Sequence, residues 1–253
     1  MPSKETELFV FDLDGTLAPS KLPIEEDMVA TLTKLLAKRK VAVIGGGSFE
    51  VYKKQFESMM NSNSPVLKNL SLFPTSGSRY YTYDNGWDEI YRHELSEEDK
   101  KKIIEAINRA IESSGVSLPQ MTYGERVEDR GTQISFSAIG QEAPESEKAV
   151  WDPDQKKRFK IKAILDGLIP EFEIRIGGMT TIDITKKGID KAFGIRMMQK
   201  YLGVSIDKMF YVGDALFKGG NDEAVLTTGI KTHEVKDQKE TREWIESVIP
   251  LLD

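Results

Sequence analysis

Short apolar runs alternate with longer amphipathic stretches in the first and last parts of the chain. The runs have the length and composition of strands that are covered on both faces; they are residues 8–11, 41–44, 70–73 and 209–213. The stretches repeat apolar residues at helical spacing; they are residues 25–38, 48–60, 188–203 and 240–251. Strands that alternate with helices predict an α/β domain with a parallel, Rossmann-like sheet.

The middle of the chain follows a different pattern. Two aromatic-rich runs flank the dipeptide Asn85-Gly86 and predict a β-hairpin. Beyond it we expect helices at 97–111 and 154–168 and strands at 132–139, 172–176 and 180–184. The strands are short and closely connected, as in an antiparallel sheet. We therefore predict an α+β module at residues 87–186, inserted between the two parts, 1–86 and 187–253, of one α/β domain.

The predicted helix at 154–168 is rich in Lys and Arg. Its basic residues are expected opposite Phe159, Ile161 and Ile164. This arrangement predicts a solvated basic face rather than a binding site for a polyanion.

Two carboxylates follow the first apolar run. Asp12 and Asp14 are separated by one residue, and alternate residues of a strand point the same way. Both are expected in the crevice beyond the carboxyl ends of the strands, where they can share a cation or divide the roles of nucleophile and acid. The alternative is that Asp14-Gly15-Thr16 only forms a turn.

Polar residues also follow the other predicted strands. Ser48 comes after three glycines, and as an alternative it is only the cap of the next helix. Lys191 lies in the first turn of a helix, where the helix dipole disfavours a cation unless an anion faces it; Lys186 and Lys187 are nearby alternatives. Asp214 and Asp222 follow the strand at 209–213, although residues 219–222 also fit a turn and a cap.

The strand ends therefore combine acids with a hydroxyl group and a lysine. Carboxylate oxygens suit a hard cation, while serine and lysine can neutralise the charge on phosphoryl oxygens. This set indicates magnesium-dependent phosphoryl transfer, with a carboxylate as the natural nucleophile because the set has neither His nor Cys.

Composition narrows the functional classes. The net charge of −6 does not favour a nucleic-acid partner, and the absence of cysteine excludes disulfides and thiolate catalysis. We see no apolar run of about 20 residues, the length that a membrane helix needs, and no signal-peptide pattern. We expect a soluble, cytoplasmic protein without a membrane partner.

These motifs, taken in order, resemble those of the haloacid dehalogenase superfamily, with a cap of type IIB between the second and third motifs. The resemblance implies that Asp12 is the nucleophile and that Asp14 is the acid/base and, through its carbonyl, a metal ligand. It also implies that Ser48 and Lys191 belong to the catalytic set. The implied Mg²⁺ ligands are Asp12, Asp14, Asp214 and Asp222.

The branch that the chain most resembles is the eukaryotic-type phosphomannomutases. Four segments carry this resemblance, namely 130–132, 137–140, 177–183 and 219–222. It implies a small phosphorylated substrate, with Thr181 and Asp183 holding sugar hydroxyls, and a monomer or a homodimer formed through the cap. The other residues expected to bind substrate are Lys21, Gly47, Arg130, Gln141 and Lys148.

The chain departs from this branch at several arginines that bind the two phosphates of the sugar. Gln141 stands where one arginine is expected, and Lys21 and Lys148 stand at two others. Lysine does not bind phosphate in the bidentate manner of arginine. The sequence therefore favours hydrolysis of a sugar phosphate or a similar phosphomonoester. The alternatives are a sugar phosphomutase and a catalytically silent protein that binds phosphosugars.

Overall fold

The structure, a computed structural model, describes residues 2–20, 22–62 and 64–252. It divides the chain into two units. The first combines the residues up to Arg92 with those from Asp190 onward, and the second is His93–Ile189. The sequence predicted these boundaries at 86/87 and 186/187. Residues 87–92, predicted in the inserted module, belong to the first unit, and residues 187–189, predicted in the α/β domain, belong to the second.

The first unit contains a seven-stranded sheet with the order β11-β10-β1-β2-β3-β4-β5. The five strands from β11 to β3 are parallel, and β4 and β5 are antiparallel to their neighbours. The strands are β1 (Leu8–Asp12), β2 (Lys40–Ile44), β3 (Leu70–Phe73), β4 (Arg79–Tyr83), β5 (Trp87–Arg92), β10 (Met209–Gly213) and β11 (Lys231–Glu234).

Helices cover both faces of this sheet. They are α1 (Glu26–Leu36), α2 (Phe49–Gln55), α3 (Glu57–Asn61), the short α4 (Pro74–Gly77), α8 (Lys191–Leu202), α9 (Glu223–Leu226) and α10 (Gln238–Val248). Short 3₁₀ helices span Pro65–Asn69, Ile206–Lys208 and Ile249–Leu252. On one face Phe9 and Phe11 pack with α1 and α10, and on the other Leu8 and Val10 pack with α8. Burial on both faces explains why the strands read as continuous apolar runs.

Two elements of this unit differ from the sequence-based expectation. The helix predicted at 48–60 is broken at Phe56, whose φ of −97° and ψ of 13° separate α2 from α3. The hairpin extends the first sheet, because β4 pairs with β3 through Ser71–Thr82 and Leu72–Tyr81. The aromatic rings that suggested a new module pack inside the first unit, where Tyr81 stacks on Phe49 at 3.7 Å.

The second unit contains an antiparallel four-stranded sheet with the order β6-β7-β9-β8. The strands are β6 (Val127–Asp129), β7 (Gln133–Ser137), β8 (Phe172–Gly177) and β9 (Thr181–Lys186). The helices are α5 (Glu97–Ser114), α6 (Glu145–Trp151) and α7 (Lys156–Leu168). Ile134, Phe136, Ile182 and Ile184 form one face of the sheet and pack with α5 and α7. The opposite face is polar.

Two features of the second unit were not expected. Helix α6 had not been predicted, and the basic face of α7 is not uniformly solvated. Arg158 is 2% exposed and forms an ion pair with Asp152, whereas Phe159, expected on the inner side, is 47% exposed. The helical repeat alone does not reveal a buried arginine whose partner lies outside the helix.

Across the described ranges, none of the helices combines the length and the apolar character that crossing a membrane requires.

Candidate active site

Three neighbouring parallel strands place the polar groups of the first unit at one edge of the sheet. Asp12 is the last residue of β1, and Asp214 follows the end of β10 directly. The register pairs Phe11 with Val212, and Asp12 with Ile44 at the end of β2. The convergence expected from a parallel sheet is therefore present in the structure.

Three carboxylates form a cluster at this edge. Asp12, Asp214 and Asp222 each offer one oxygen, and these oxygens all lie within 4.8 Å of one another. The Thr16 hydroxyl donates to Asp214 at 3.2 Å, and the Tyr211 hydroxyl donates to Asp222 at 2.6 Å. Because these side chains are fixed by hydrogen bonds, the cluster is preorganised.

Lys191 faces the cluster from the first residue of α8. Its Nζ lies 2.7 Å from Oδ1 of Asp12 and also contacts Oδ1 of Asp222. Asp190 caps the helix by accepting a hydrogen bond from the backbone N–H of Phe193. The two facing carboxylates offset the unfavourable position of a cation at a helix N-terminus.

Burial dominates the electrostatics of the site. It raises the pKa of Asp12 well above its usual value; Lys191 opposes this shift, and Asp222 and Asp214 add to it. Burial also raises the pKa of Asp214. For Lys191 burial alone would lower the pKa, but attraction to Asp12 and Asp222 outweighs it and raises the pKa above its ordinary value.

The donor set suits a magnesium ion. Asp12 is 2% exposed, and its Oδ2 has no hydrogen-bond partner among the described residues. A buried carboxylate oxygen without a partner is costly, and three clustered carboxylates with one lysine leave an excess of negative charge. Oxygen donors and negative charge are what a hard divalent cation requires. Asp12, Asp214 and Asp222 would therefore hold Mg²⁺.

Two glycines allow the carboxylates to approach the backbone. A Cβ on Gly15, whose φ is +90°, would lie 2.5 Å from Oδ2 of Asp214. A Cβ on Gly213 would occupy the space of the Asp222 carboxylate. Larger residues at either position would displace a member of the cluster.

The other predicted residues of the first unit that the structure describes lie outside the carboxylate cluster. Oδ1 of Asp14 accepts a hydrogen bond from Nε2 of Gln55 at 3.0 Å. Ser48 occupies the cap position of α2 but makes no capping hydrogen bond with its side chain, and Gly47 precedes it in the same loop. Lys21 lies outside the described residues.

In the second unit, Asp183 and Arg130 meet on the polar face of the sheet. The Ser135 hydroxyl donates to Oδ1 of Asp183 at 2.6 Å, and Nη1 of Arg130 lies 3.9 Å from the same oxygen. Nη2 of Arg130 donates to Glu128 at 2.7 Å and to Gln141 at 3.4 Å. Glu128 and Asp183 thus already oppose the charge of Arg130.

Three other predicted positions lie in this unit. The hydroxyl of Thr181, at the start of β9, donates to the carbonyl of Gly177 at 2.6 Å. The amide of Gln141 donates to the carbonyl of Ser135 at 3.1 Å, which holds its side chain against β7. Lys148 is buried on α6. The side chains of Thr181 and Gln141 thus bond to the backbone of their own unit.

Sequence reasoning did not identify Gln55, Tyr52, Tyr211 or Arg158. Tyr211 lies in an apolar run, where a buried hydroxyl group signals a need for a partner. Tyr52 is fully buried, and burial followed by the charges of Asp12 and Asp14 raises its pKa well above the ordinary value. Gln55 had no such signal, because helical periodicity did not show that the end of α2 turns toward Asp14.

The family model for eukaryotic phosphomannomutases matches residues 28–251. The chain belongs to this family. A probable phosphomannomutase of Caenorhabditis elegans is 28% identical over 264 residues, which cover 100% of this chain and 99% of the relative. The phosphomannomutase of Schizosaccharomyces pombe is 29% identical over 228 residues, 87% of this chain and 84% of the relative.

Solved structures support the same fold. An N-terminally truncated IMP-nucleotidase of Plasmodium falciparum superposes with a TM-score of 0.71 at 18% identity, covering 98% of this chain and 71% of the other. A haloacid dehalogenase-like hydrolase of Bacteroides thetaiotaomicron gives 0.61 at 16% identity, covering 96% and 99%. The chain thus has the fold of these proteins, an α/β core with an α+β cap.

Proposed function

We propose that this protein is a sugar phosphomutase of the phosphomannomutase type, which transfers phosphoryl groups through Asp12. The observation that carries phosphoryl transfer is the buried Asp12, whose Oδ1 is paired with Lys191 and whose Oδ2 has no partner among the described residues. A carboxylate with one fixed oxygen and one available oxygen is suited to attack phosphorus.

The reaction needs two transfers. Asp12 forms a bond to phosphorus while the bond from phosphorus to the substrate oxygen breaks, and Asp14 donates a proton to that oxygen. In the second transfer a hydroxyl of a sugar monophosphate attacks the phosphorus of the aspartyl phosphate, the bond between Asp12 and phosphorus breaks, and the hydroxyl gives its proton to Asp14. The sugar bisphosphate that results returns its other phosphoryl group to Asp12 by a repeat of the first transfer. Mg²⁺, when bound by the three carboxylates, supplies neutralisation of phosphoryl charge. Lys191 adds a fixed positive charge beside Asp12.

The mutase assignment is favoured by the family. The match extends over nearly the whole chain, and the C. elegans and S. pombe relatives are named as phosphomannomutases. Thr181 and Asp183 remain our candidates for holding sugar hydroxyls, and Arg130 for the second phosphate. A mutase also requires that the sugar bind in two orientations, so that either hydroxyl reaches Asp12.

One observation favours hydrolysis as a second candidate. Arg130 is held by Glu128 and lies near Asp183, and its neighbour Gln141 stands where the family is expected to have an arginine. An arginine opposed by two carboxylates attracts a second phosphate less strongly. Water would then be the acceptor of the phosphoryl group.

The test is to incubate the protein with Mg²⁺, mannose 1-phosphate and a trace of glucose 1,6-bisphosphate, and to measure mannose 6-phosphate and inorganic phosphate together. Isomer in excess of phosphate supports the mutase, and phosphate without isomer supports the hydrolase. Asp12→Asn is expected to abolish both products. Turnover that survives Asp12→Asn would exclude the aspartyl-phosphate route.

A further inference from the structure

Gln55 is a buried amide in contact with the proposed acid/base. It is the last residue of α2 and is 1% exposed. Its Nε2 donates to Oδ1 of Asp14 at 3.0 Å, and its backbone carbonyl accepts from the N–H of Ile24 at 2.9 Å. The side chain thus links a helix of the core to the loop that follows β1.

The oxygen of this amide lacks a hydrogen-bond donor among the described residues. Oε1 of Gln55 is buried and has no hydrogen-bond partner among the described residues. Leaving a buried polar atom unpaired destabilises a fold, and an apolar side chain of the same length would avoid that loss. A glutamine here therefore reduces stability relative to methionine, and its hydrogen bond to Asp14 is the feature that methionine lacks.

Asp12 and Asp14 are held in different ways. Asp12 is fixed at the end of a strand and by its ion pair with Lys191. Asp14 lies beyond the strand and is half-buried, outside the carboxylate cluster. Proton transfer depends on the distance and angle between the carboxyl group and the leaving oxygen, so a small rotation of Asp14 slows it.

We propose that Gln55 is a positioning residue that orients the carboxyl group of Asp14 for proton transfer. This inference rests on the proposed function, in which Asp14 protonates the oxygen that leaves phosphorus as Asp12 attacks. Gln55 acts through Asp14 and takes no part in the exchange of bonds. Its contribution therefore depends on how much the leaving oxygen needs a proton.

The test compares two esters of almost the same shape in Gln55→Met. Phenyl phosphate has a poor leaving group that needs protonation, whereas p-nitrophenyl phosphate has a good one that does not. The variant is expected to lower kcat/KM, which reports the first transfer alone, about 10- to 100-fold for phenyl phosphate, a part of the roughly 100- to 10,000-fold that general acid catalysis contributes, and to change kcat/KM for p-nitrophenyl phosphate less than about 3-fold. The Tm should stay the same or rise.

Gln238→Met is the matched control, because Nε2 of Gln238 donates to the carbonyl of Ala18 in the same loop without touching Asp14. It should affect both esters equally. Gln55→Leu provides a second variant if Gln55→Met folds poorly. Equal losses of kcat/KM for both esters in the Gln55 variants would overturn the role of Gln55 while leaving the function standing. If the unmodified protein hydrolyses neither ester but interconverts the mannose phosphates, an unchanged rate of interconversion in Gln55→Met overturns the role of Gln55. If it neither hydrolyses the esters nor interconverts the mannose phosphates, the proposed function itself has failed, and the role of Gln55 with it.

Discussion

A cluster in the core and an ion pair in the cap differ in how their buried charges balance. In the core, Lys191 faces both Asp12 and Asp222, with Asp214 beside them, so negative charge is in excess. In the cap, Arg158 is buried against Asp152 and donates to three backbone carbonyls, so the charges of this pair balance. A balanced pair can serve structure alone. The unbalanced cluster keeps affinity for a cation, which in turn attracts a phosphoryl group, and for this reason we assign the chemistry to the core cluster rather than to this pair.

The largest effect is expected from removing the positive charge of Lys191 from the core cluster. Lys191→Met should reduce kcat about 100- to 1,000-fold, the effect of losing one fixed electrostatic contact in an active site. It should also destabilise the protein by about 3 to 5 kcal/mol, because three carboxylates lose their counter-charge. Both effects are measurable, by turnover of p-nitrophenyl phosphate and by denaturant unfolding.

Mg²⁺ provides the control for this variant. Since the ion can replace the missing positive charge, adding it should raise the Tm of Lys191→Met more than that of the unmodified protein. An equal rise in both proteins would contradict the replacement of the lysine charge by the ion, and no rise in either would contradict the assignment of the three carboxylates as the magnesium ligands.

The corresponding change in the cap should affect stability but not chemistry. Arg158→Met leaves Asp152 buried without its partner and is expected to cost about 3 to 5 kcal/mol of unfolding free energy. Turnover of p-nitrophenyl phosphate by the folded protein should stay within about 3-fold of normal. The double variant Arg158→Met/Asp152→Leu removes both charges and should recover most of the lost stability. If Arg158→Met lost as much turnover as Lys191→Met, the cap ion pair would not be purely structural, and the proposed difference between it and the core cluster would be wrong.

A smaller effect is expected at Asp183, which we assign to sugar binding. Asp183→Asn keeps the shape of the side chain and should raise KM for mannose 1-phosphate about 10-fold, equivalent to about 1.4 kcal/mol. Turnover of p-nitrophenyl phosphate should not change. Thr185→Val is the control, because Thr185 lies on the same face of β9 and bonds to the Ile189 carbonyl. An equal rise in KM for the control would indicate distortion of the sheet.

The smallest predicted effect is the contribution of His233 to the dependence of stability on pH. Burial lowers the pKa of His233, whose ring lies 5.0 Å from that of Trp244. In the unfolded chain the ordinary pKa is about 6.5, so the unfolded state binds the proton more readily, and stability is lost as pH falls below that value. His233→Phe should lose less Tm between about pH 7 and pH 5 than the unmodified protein. A parallel decline in both proteins would exclude His233 as a source of the pH dependence.

The sequence predicted that the polar residues at the strand ends of the core would converge, because their convergence depends only on the order and direction of the strands. Alternating strands and helices imply a parallel sheet, and parallel strands end at one edge, which brings Asp12 and Asp214 together. Contacts that depend on the rotation of a helix were not accessible in the same way. Gln55 and Arg158 each lie on a helix, but their partners, Asp14 and Asp152, lie in other segments.

The hairpin shows a further limit of local patterns. The alternation and the Asn-Gly dipeptide predicted its two strands, yet they carry no information about which sheet the hairpin joins. That choice follows from the pairing of Ser71 and Leu72 in β3 with β4, a contact made by the folded core.

The pairing of β1 with β10 also has a consequence during synthesis. Leu8 aligns with Met209, so about 200 residues must be translated after β1 before its partner strand β10 exists. At about 5 to 20 residues per second this interval is about 10 to 40 s. Throughout it the nascent chain presents an apolar strand with an open edge, the kind of template that promotes aggregation. During this interval the strand that carries Asp12 would benefit from protection by a chaperone.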